Sequence, residues 1–419
     1  MRRVAIVGAG YAGCAAAVAL ARRGVRVRLF EALAVPGGRA RRIRLRTPGD
    51  GRTVELDNGQ HVLAGAYTEL GWLMHTIGVP QDAVLRMPLE LRYADGFALR
   101  ALWLPAPLGL AGGLLAARGL PLGEALGAIR FLARLGRTRF RLAADETVAA
   151  LLARHRQGGR ASHYLWGPLC VAALNTPPAR ASARVFLAVL RDTLAAASGA
   201  SDLLLPRTDL SRLFPEPACE FVRARGGEVR IGEPVRDLAA LRAAHEAVIV
   251  AVGPHQLARL APELAPAYEY QPIYTCYLQY PETVHLALPM LGLSRGLVQW
   301  AFDRGALTGE KGRIACVISA EGEHQQMTHT ALADACHREL AAALGGLPAP
   351  LWARVIAEKR ATIACTPGVP RPSARTPIPG VVLAGDYTEA EYPPTLEAAV
   401  RSGLRAAELV LEDRPALAR

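Results

Sequence analysis

The chain has 419 residues, 51% of them hydrophobic and 21% charged, two to three times the length of an ordinary ~150-residue domain and ample for one or two buried cores. Its 40 Gly and 30 Pro make up about one residue in six, below the ~25–30% of low-complexity chains, which excludes disorder and collagen-like structure. Lys and Arg exceed Asp and Glu by 12, yet every cation except Lys311 and Lys359 is an arginine; with no block of five like charges and no interleaved aromatic residues to stack bases, an anionic membrane surface is favoured over nucleic acid as a partner.

The first predicted elements are an apolar strand ending at Val7, a glycine turn from Gly8 to Gly13, and an alanine-rich helix over 14–23 stopped by Gly24. A second strand over 25–30 follows, with Glu31 at its end. In this βαβ start, Gly8-x-Gly10-x-x-Gly13 supplies a tight turn, a close approach of backbone to a pyrophosphate, and close packing of helix on strand. The helix N-terminal N–H groups face the phosphates, and Glu31, about 20 residues on, accepts the ribose hydroxyls. A carboxylate there disfavours a 2′-phosphate, so the site prefers FAD or NAD to NADP.

Downstream, 53–57 is a short strand candidate and Asn58-Gly59 a turn before Gln60 and His61. Residues 101–117 are 17 uncharged residues between Arg100 and Arg118, interrupted by Pro105, Pro107, Gly109, Gly112 and Gly113. Such a backbone is unfit to span a bilayer; it reads either as an apolar lip that dips into one leaflet or lines a substrate entrance, or as buried core. Residues 142–205 are helical in pattern, broken at Gly167-Pro168 and Pro177-Pro178. Strands are expected over 227–231 and 247–253 with a short polar connection between them, and again over 273–280, 297–302 and 314–320. A helix over 330–344, a strand over 381–386 and a helix over 395–411 complete the chain.

The seven cysteines contain no Cys-x-x-Cys pair, which points to a reducing compartment and no disulfide framework or zinc site. His324, His329, Cys336 and His337 lack metal-ligand spacing, so no metal is expected. The first strand begins too early to leave room for a signal peptide, and a cytoplasmic chain is the expectation. No Gly-x-Ser-x-Gly or Ser/His/Asp order suggests hydrolysis.

Gly37-Gly38-Arg39, directly after the ribose carboxylate, resembles the second signature of the amine oxidase and phytoene desaturase flavoproteins. Asp57-Asn58-Gly59-Gln60-His61 resembles their following strand and turn, and Leu383-Ala384-Gly385-Asp386 with Glu397 to Gly403 their C-terminal FAD segment. Within that superfamily, Asp57 to Leu63, Leu104-Pro105-Ala106-Pro107, Trp166-Gly167-Pro168-Leu169-Cys170, Ala173-Leu174-Asn175-Thr176, and Ala384 to Thr388 ahead of Tyr392-Pro393 are similar to the squalene-associated flavoproteins of bacterial hopanoid pathways, the hydroxysqualene dehydroxylases.

The resemblance covers the whole chain. It implies a fold of α/β class: a discontinuous Rossmann-like FAD-binding domain (1–90, 200–265 and 365–419) carrying an inserted α+β substrate domain (91–199 and 266–364). It implies that FAD is held by Gly8, Gly10, Gly13, Glu31, Gly37, Gly38, Arg39, Gly59, Gln60, His61, Val235, Gly253, Gly385, Asp386, Thr395 and Leu396. Hydroxysqualene, a C30 isoprenoid alcohol, would be the substrate, reduced flavin the hydride source, squalene the product, and an unidentified electron donor would re-reduce the cofactor. The enzyme would sit peripherally on the inner face of the cytoplasmic membrane, touching it through 101–117.

Loss of an allylic hydroxyl needs one proton, exclusion of water, and a carbon held against flavin N5. His61 is the first candidate acid, since the Gly59 turn brings it toward the flavin; the alternative is that it packs against or bonds the cofactor. Asp57 and Tyr392 are second candidates. Asn175-Thr176 either faces the substrate cavity or caps a turn, and Lys359 either approaches N5, as lysines do in many amine oxidases, or lies on the surface. The rival functions are a carotenoid or phytoene desaturase, a flavin amine oxidase, and a non-catalytic prenyl-binding protein.

Overall fold

Five parallel strands form the first sheet, in the order Glu228–Ile231, Arg26–Glu31, Arg3–Val7, Ala247–Val250, Val381–Leu383. This is a computed structural model, and it describes residues 3–47, 51–102, 104, 107–194 and 199–413; Pro105 and Ala106 of the 104–107 motif lie outside the described residues. The central strands read as continuous apolar runs because both faces are covered: Val4, Ala5, Ile6 and Val7 are all buried. The Tyr11–Arg22 helix packs on one face beside the Leu396–Glu412 helix. Their separation is set by small residues, since a Cβ on Gly403 would stand 2.1 Å from the Ala12 carbonyl oxygen. The other face is closed by Leu238, Leu257, Leu264 and Tyr387.

The second sheet is antiparallel, in the order Met290–Gly292, Trp300–Asp303, Arg313–Ser319, Tyr270–Gln279, Trp352–Ile363. One face packs on the His329–Ala343 helix. The opposite face meets Leu56 and Leu205, so it lies against the segments that leave the first sheet. A separate helical core gathers around Trp166, Phe131 and Phe186.

Several elements differ from expectation for local reasons. The first helix begins at Tyr11 rather than 14, with Gly10 as its N-cap. The connection between the Glu228–Ile231 and Ala247–Val250 strands holds a helix, Leu238–Ala244, capped by the Asp237 carboxylate on the Ala240 N–H; its alanines and leucines are strong helix formers. Gly167-Pro168 breaks nothing. A π-helical turn over Ser162–Trp166 runs directly into the Gly167–Leu174 helix, and Pro168 falls in that helix's first turn, where no N–H is needed. The strand expected from 297 starts at Trp300, because the Leu297 and Val298 N–H groups donate to the Glu339 carboxylate instead.

Candidate functional site

Parallel pairing puts Val7, Glu31, Val250 and Leu383 at the carboxyl edge of the first sheet, so the loops that follow them converge there. Gly10 caps the first helix in an extended conformation with no side-chain cap, and no acidic residue occupies the first turn. The helix N–H groups and the positive end of its dipole are thus free for an anion. The two glycine motifs lie side by side: the Gly37 N–H donates to the Ala9 carbonyl at 2.8 Å, and Gly10 and Gly37 form a parallel bridge. Gly13 is obligatory by sterics, because a Cβ there would stand 1.9 Å from the Gly8 carbonyl oxygen. Glu31 is buried, and its two oxygens accept from the Ala9 and Leu33 N–H groups, each at 2.9 Å. Each oxygen keeps a lone pair for a ribose hydroxyl. An uncapped helix start, walls of bare backbone and a fixed carboxylate suit the pyrophosphate and ribose of a dinucleotide.

Arg39 and Asp386 meet across the cleft at 2.7 Å, and Arg39 also donates to the Ala361 carbonyl at 2.7 Å. The Gly385 N–H donates to Ser402 Oγ on the last helix. Thr395 caps that helix through the Ala398 N–H, and Leu396 is its first residue. Gly253 caps the Pro254–Leu260 helix, while Val235 packs against the apolar cluster holding Ala5 and Phe30.

The Asp57–His61 loop lies between the two sheets. Asp57 is almost fully buried: Oδ1 accepts from the Leu210 N–H at 2.8 Å, and Oδ2 is 3.7 Å from Arg304 Nη1. Burial pushes its carboxyl up to about 7, against the opposing pull of the Arg304 guanidinium and the Leu210 N–H. The same Arg304 nitrogen donates to Gln60 Oε1 at 3.1 Å, and its Nε pairs with Glu310 at 2.9 Å. Tyr277 donates to the Asp57 carbonyl at 3.0 Å, and Asn58 bonds the Arg39 carbonyl and Glu358. His61 Nδ1 lies 3.0 Å from the Gly59 carbonyl oxygen, and Nε2 has no partner among the described residues. Burial, aided by the Arg39 charge, lowers the His61 imidazole below its usual range, with the Gly59 carbonyl opposing.

Gly59, Gln60 and His61 thus share one rigid loop. Tyr392 is held elsewhere: its hydroxyl donates to Asp192 at 2.7 Å and Arg401 lies 4.1 Å from its ring centroid. Burial first, then the bond to Asp192, pushes its hydroxyl well above the usual tyrosine range, so its proton is committed to that carboxylate. Asn175, at φ 46°, ends the Gly167–Leu174 helix. Its amide bonds the Gln271 and Pro272 carbonyls and Thr362, and its Oδ1 accepts from the Ala320 N–H, so it caps a turn and pins it to the second sheet. Lys359 is exposed on the Trp352–Ile363 strand. All seven cysteines are free and buried, and among the described residues no group of three or more His, Cys, Asp or Glu is placed to hold a metal ion. Sequence reasoning missed Arg304 and Tyr277; a lone arginine after an apolar strand and a tyrosine inside one carry no motif.

Residues 11–411 match the family described as flavin containing amine oxidoreductase. The chain is 32% identical over 448 residues to hydroxysqualene dehydroxylase of Rhodopseudomonas palustris, covering 98% of each protein. It is 30% identical to the protein of the same name in Sinorhizobium fredii, covering 98% of this chain and 99% of the other. Among solved structures, cyclohexylamine oxidase from Brevibacterium oxydans superposes with a TM-score of 0.69 at 18% identity, over 98% of this chain and 99% of that one.

Proposed function

We propose that this chain, which belongs to the hydroxysqualene dehydroxylases within the flavin containing amine oxidoreductase family and is an FAD-dependent oxidoreductase, removes the hydroxyl of hydroxysqualene to give squalene. The near full-length match to proteins of that name carries the choice of substrate. Reduced FAD, when bound, supplies the hydride. The glycine loops, the first helix start and Glu31 hold the pyrophosphate and ribose, while Arg39 and Asp386 fix the far wall.

His61 delivers the proton. Protonated, its Nδ1–H stays on the Gly59 carbonyl and fixes the ring plane, while Nε2–H donates to the substrate hydroxyl. The C–O bond breaks with its electron pair on oxygen, which leaves as water, and the carbon gains hydride, so one proton and one hydride are consumed per alcohol. The buried Asp57, Arg304 and Gln60 hold the loop still and keep bulk water from an allylic cation. The discontinuous FAD-binding and inserted substrate domains, with bounds as given above, place this loop at their junction. The substrate comes from the membrane, on whose cytoplasmic face the enzyme works peripherally through 101–117, and a separate electron donor re-reduces FAD.

The test is anaerobic: purified protein with reduced flavin is mixed with hydroxysqualene, and absorbance and squalene are followed. Flavin reoxidation with stoichiometric squalene is expected. Flavin that stays reduced removes the reading, and turnover of phytoene by the oxidised form would put a desaturase in its place.

A further inference from the structure

Nine large apolar side chains stand exposed among the described residues, and six of them, Leu102, Leu104, Leu108, Leu115, Leu122 and Leu126, fall within 25 residues of chain. Their exposures run from 36% to 64%. Leu108 and Leu115 open and close the Leu108–Leu115 helix, and that helix packs on the Leu122–Arg137 helix. In the second helix Ala125, Ala128, Phe131 and Leu135 fill the core. Leu122, Leu126, Arg130 and Arg134 recur every four residues on the opposite, exposed side, which is one stripe of a helix. Apolar clustering of this kind on a surface marks an interaction site.

The charge around the stripe is one-sided. Residues 101–141 contain six arginines and a single acid, Glu124. Glu124 is turned onto the Ala161 N–H at 2.7 Å. Arg118, Arg130, Arg134 and Arg137 are exposed and have no carboxylate partner among the described residues. Exposed leucines beside arginines that have no carboxylate partner match the chemistry of an anionic bilayer surface, with an acyl boundary for the leucines and phosphates for the arginines. No helix among the described residues is long and apolar enough to cross a membrane, so the fit is to a surface.

We infer that this face, extending from Leu102, Leu104 and the Leu108–Leu115 helix into the exposed stripe of the Leu122–Arg137 helix, docks on an anionic lipid surface by inserting its leucines and pairing its arginines with phosphates. The inference gives the membrane contact proposed above its surface and its lipid charge, and it rests on that part of the reading. A neutral surface would satisfy the leucines alone, and a second copy of this chain would bring arginines against arginines.

Sedimentation with extruded vesicles tests it, using phosphatidylcholine alone and an equal mixture with phosphatidylglycerol, on the holoprotein and without hydroxysqualene. The holoprotein is expected to bind the mixed vesicles and to be released by salt. The Arg130→Gln/Arg134→Gln/Arg137→Gln variant should bind them about a hundredfold more weakly, at roughly fivefold per charge. Leu108→Ser/Leu122→Ser should lose binding at every salt concentration. Should the leucine variant fail to fold, the arginine variant decides alone, since its side chains are exposed. Equal binding to both vesicle types, no binding to either, or a dimer dispersed by the leucine variant would each overturn the inference. Protein that sediments with anionic vesicles yet leaves hydroxysqualene unchanged would remove the proposed function and keep this surface.

Discussion

Asp57→Asn separates the electrostatics of the central loop from its packing. The Asp57 carboxyl sits at about 7 in the folded protein against an ordinary 3.8. A folded value above the unfolded one means the native state holds the proton more tightly, so stability is full below about pH 4 and falls as pH rises toward 7. At 1.36 kcal/mol per unit, the roughly three-unit difference costs the wild type about 4 kcal/mol above pH 7 and about 1.5 kcal/mol at pH 5. An amide cannot ionise, and its oxygen can still accept from the Leu210 N–H. The stability of Asp57→Asn relative to wild type should therefore rise by about 3 kcal/mol between pH 5 and pH 8. Urea unfolding of the two proteins at pH 5, 6.5 and 8 measures it. Parallel curves would refute the reasoning, because they would mean that Arg304 compensates the buried charge in full.

The other perturbations divide the site by role. His61→Gln should retain FAD and lose about 10²–10⁴-fold in turnover, the usual worth of a positioned acid. In the wild type, turnover should fall as pH rises through an apparent pKa below the ordinary imidazole value of 6.5; a profile flat from pH 5 to pH 8 would remove His61 as proton donor. Tyr392→Phe deletes the bond to Asp192 and should cost about 1–3 kcal/mol in denaturant unfolding while leaving the pH profile in place, whereas loss of the fall with rising pH would return Tyr392 to the chemistry. Gly13→Ala forces a methyl into the Gly8 carbonyl, and the purified protein should be colourless or insoluble. A flavin spectrum equal to wild type would mean that the helix can shift.

The cofactor half of the fold is legible in the sequence because each requirement there has a local signature. A phosphate needs bare backbone, so Gly8, Gly10, Gly37 and Gly38 stand at fixed spacings. A ribose needs a carboxylate at a strand end, so Glu31 follows the second strand. Legibility fails where the partner is distant in sequence. Glu339 decides where the Trp300 strand begins by taking two N–H groups some forty residues before it. Arg304 reaches Gln60 across 244 residues, and Tyr277 reaches the Asp57 carbonyl across 220. Neither contact has a spacing rule, because long-range pairs are set by how the two sheets pack.

The same distinction bears on the proton donor. Motif reasoning places His61, Asp57 and Tyr392 on one footing, as three titratable groups in flavin-associated segments. Packing separates them by what already holds each proton. Tyr392 keeps its proton in a hydrogen bond to Asp192, and a hydroxyl bonded to a carboxylate 2.7 Å away has no second proton for a substrate. Asp57 faces Arg304 with one oxygen and a backbone N–H with the other; protonation there relieves a buried charge, and neither oxygen is left unengaged. His61 alone has one nitrogen anchored and one free. Its lowered basicity makes the imidazolium a stronger acid than an ordinary histidine. Departure of an allylic hydroxyl as water requires such an acid, and the price is a smaller protonated fraction at neutral pH. That fraction is set by exchange with solvent, so the fall of turnover with rising pH should persist when chemistry is measured from pre-reduced protein in a single turnover.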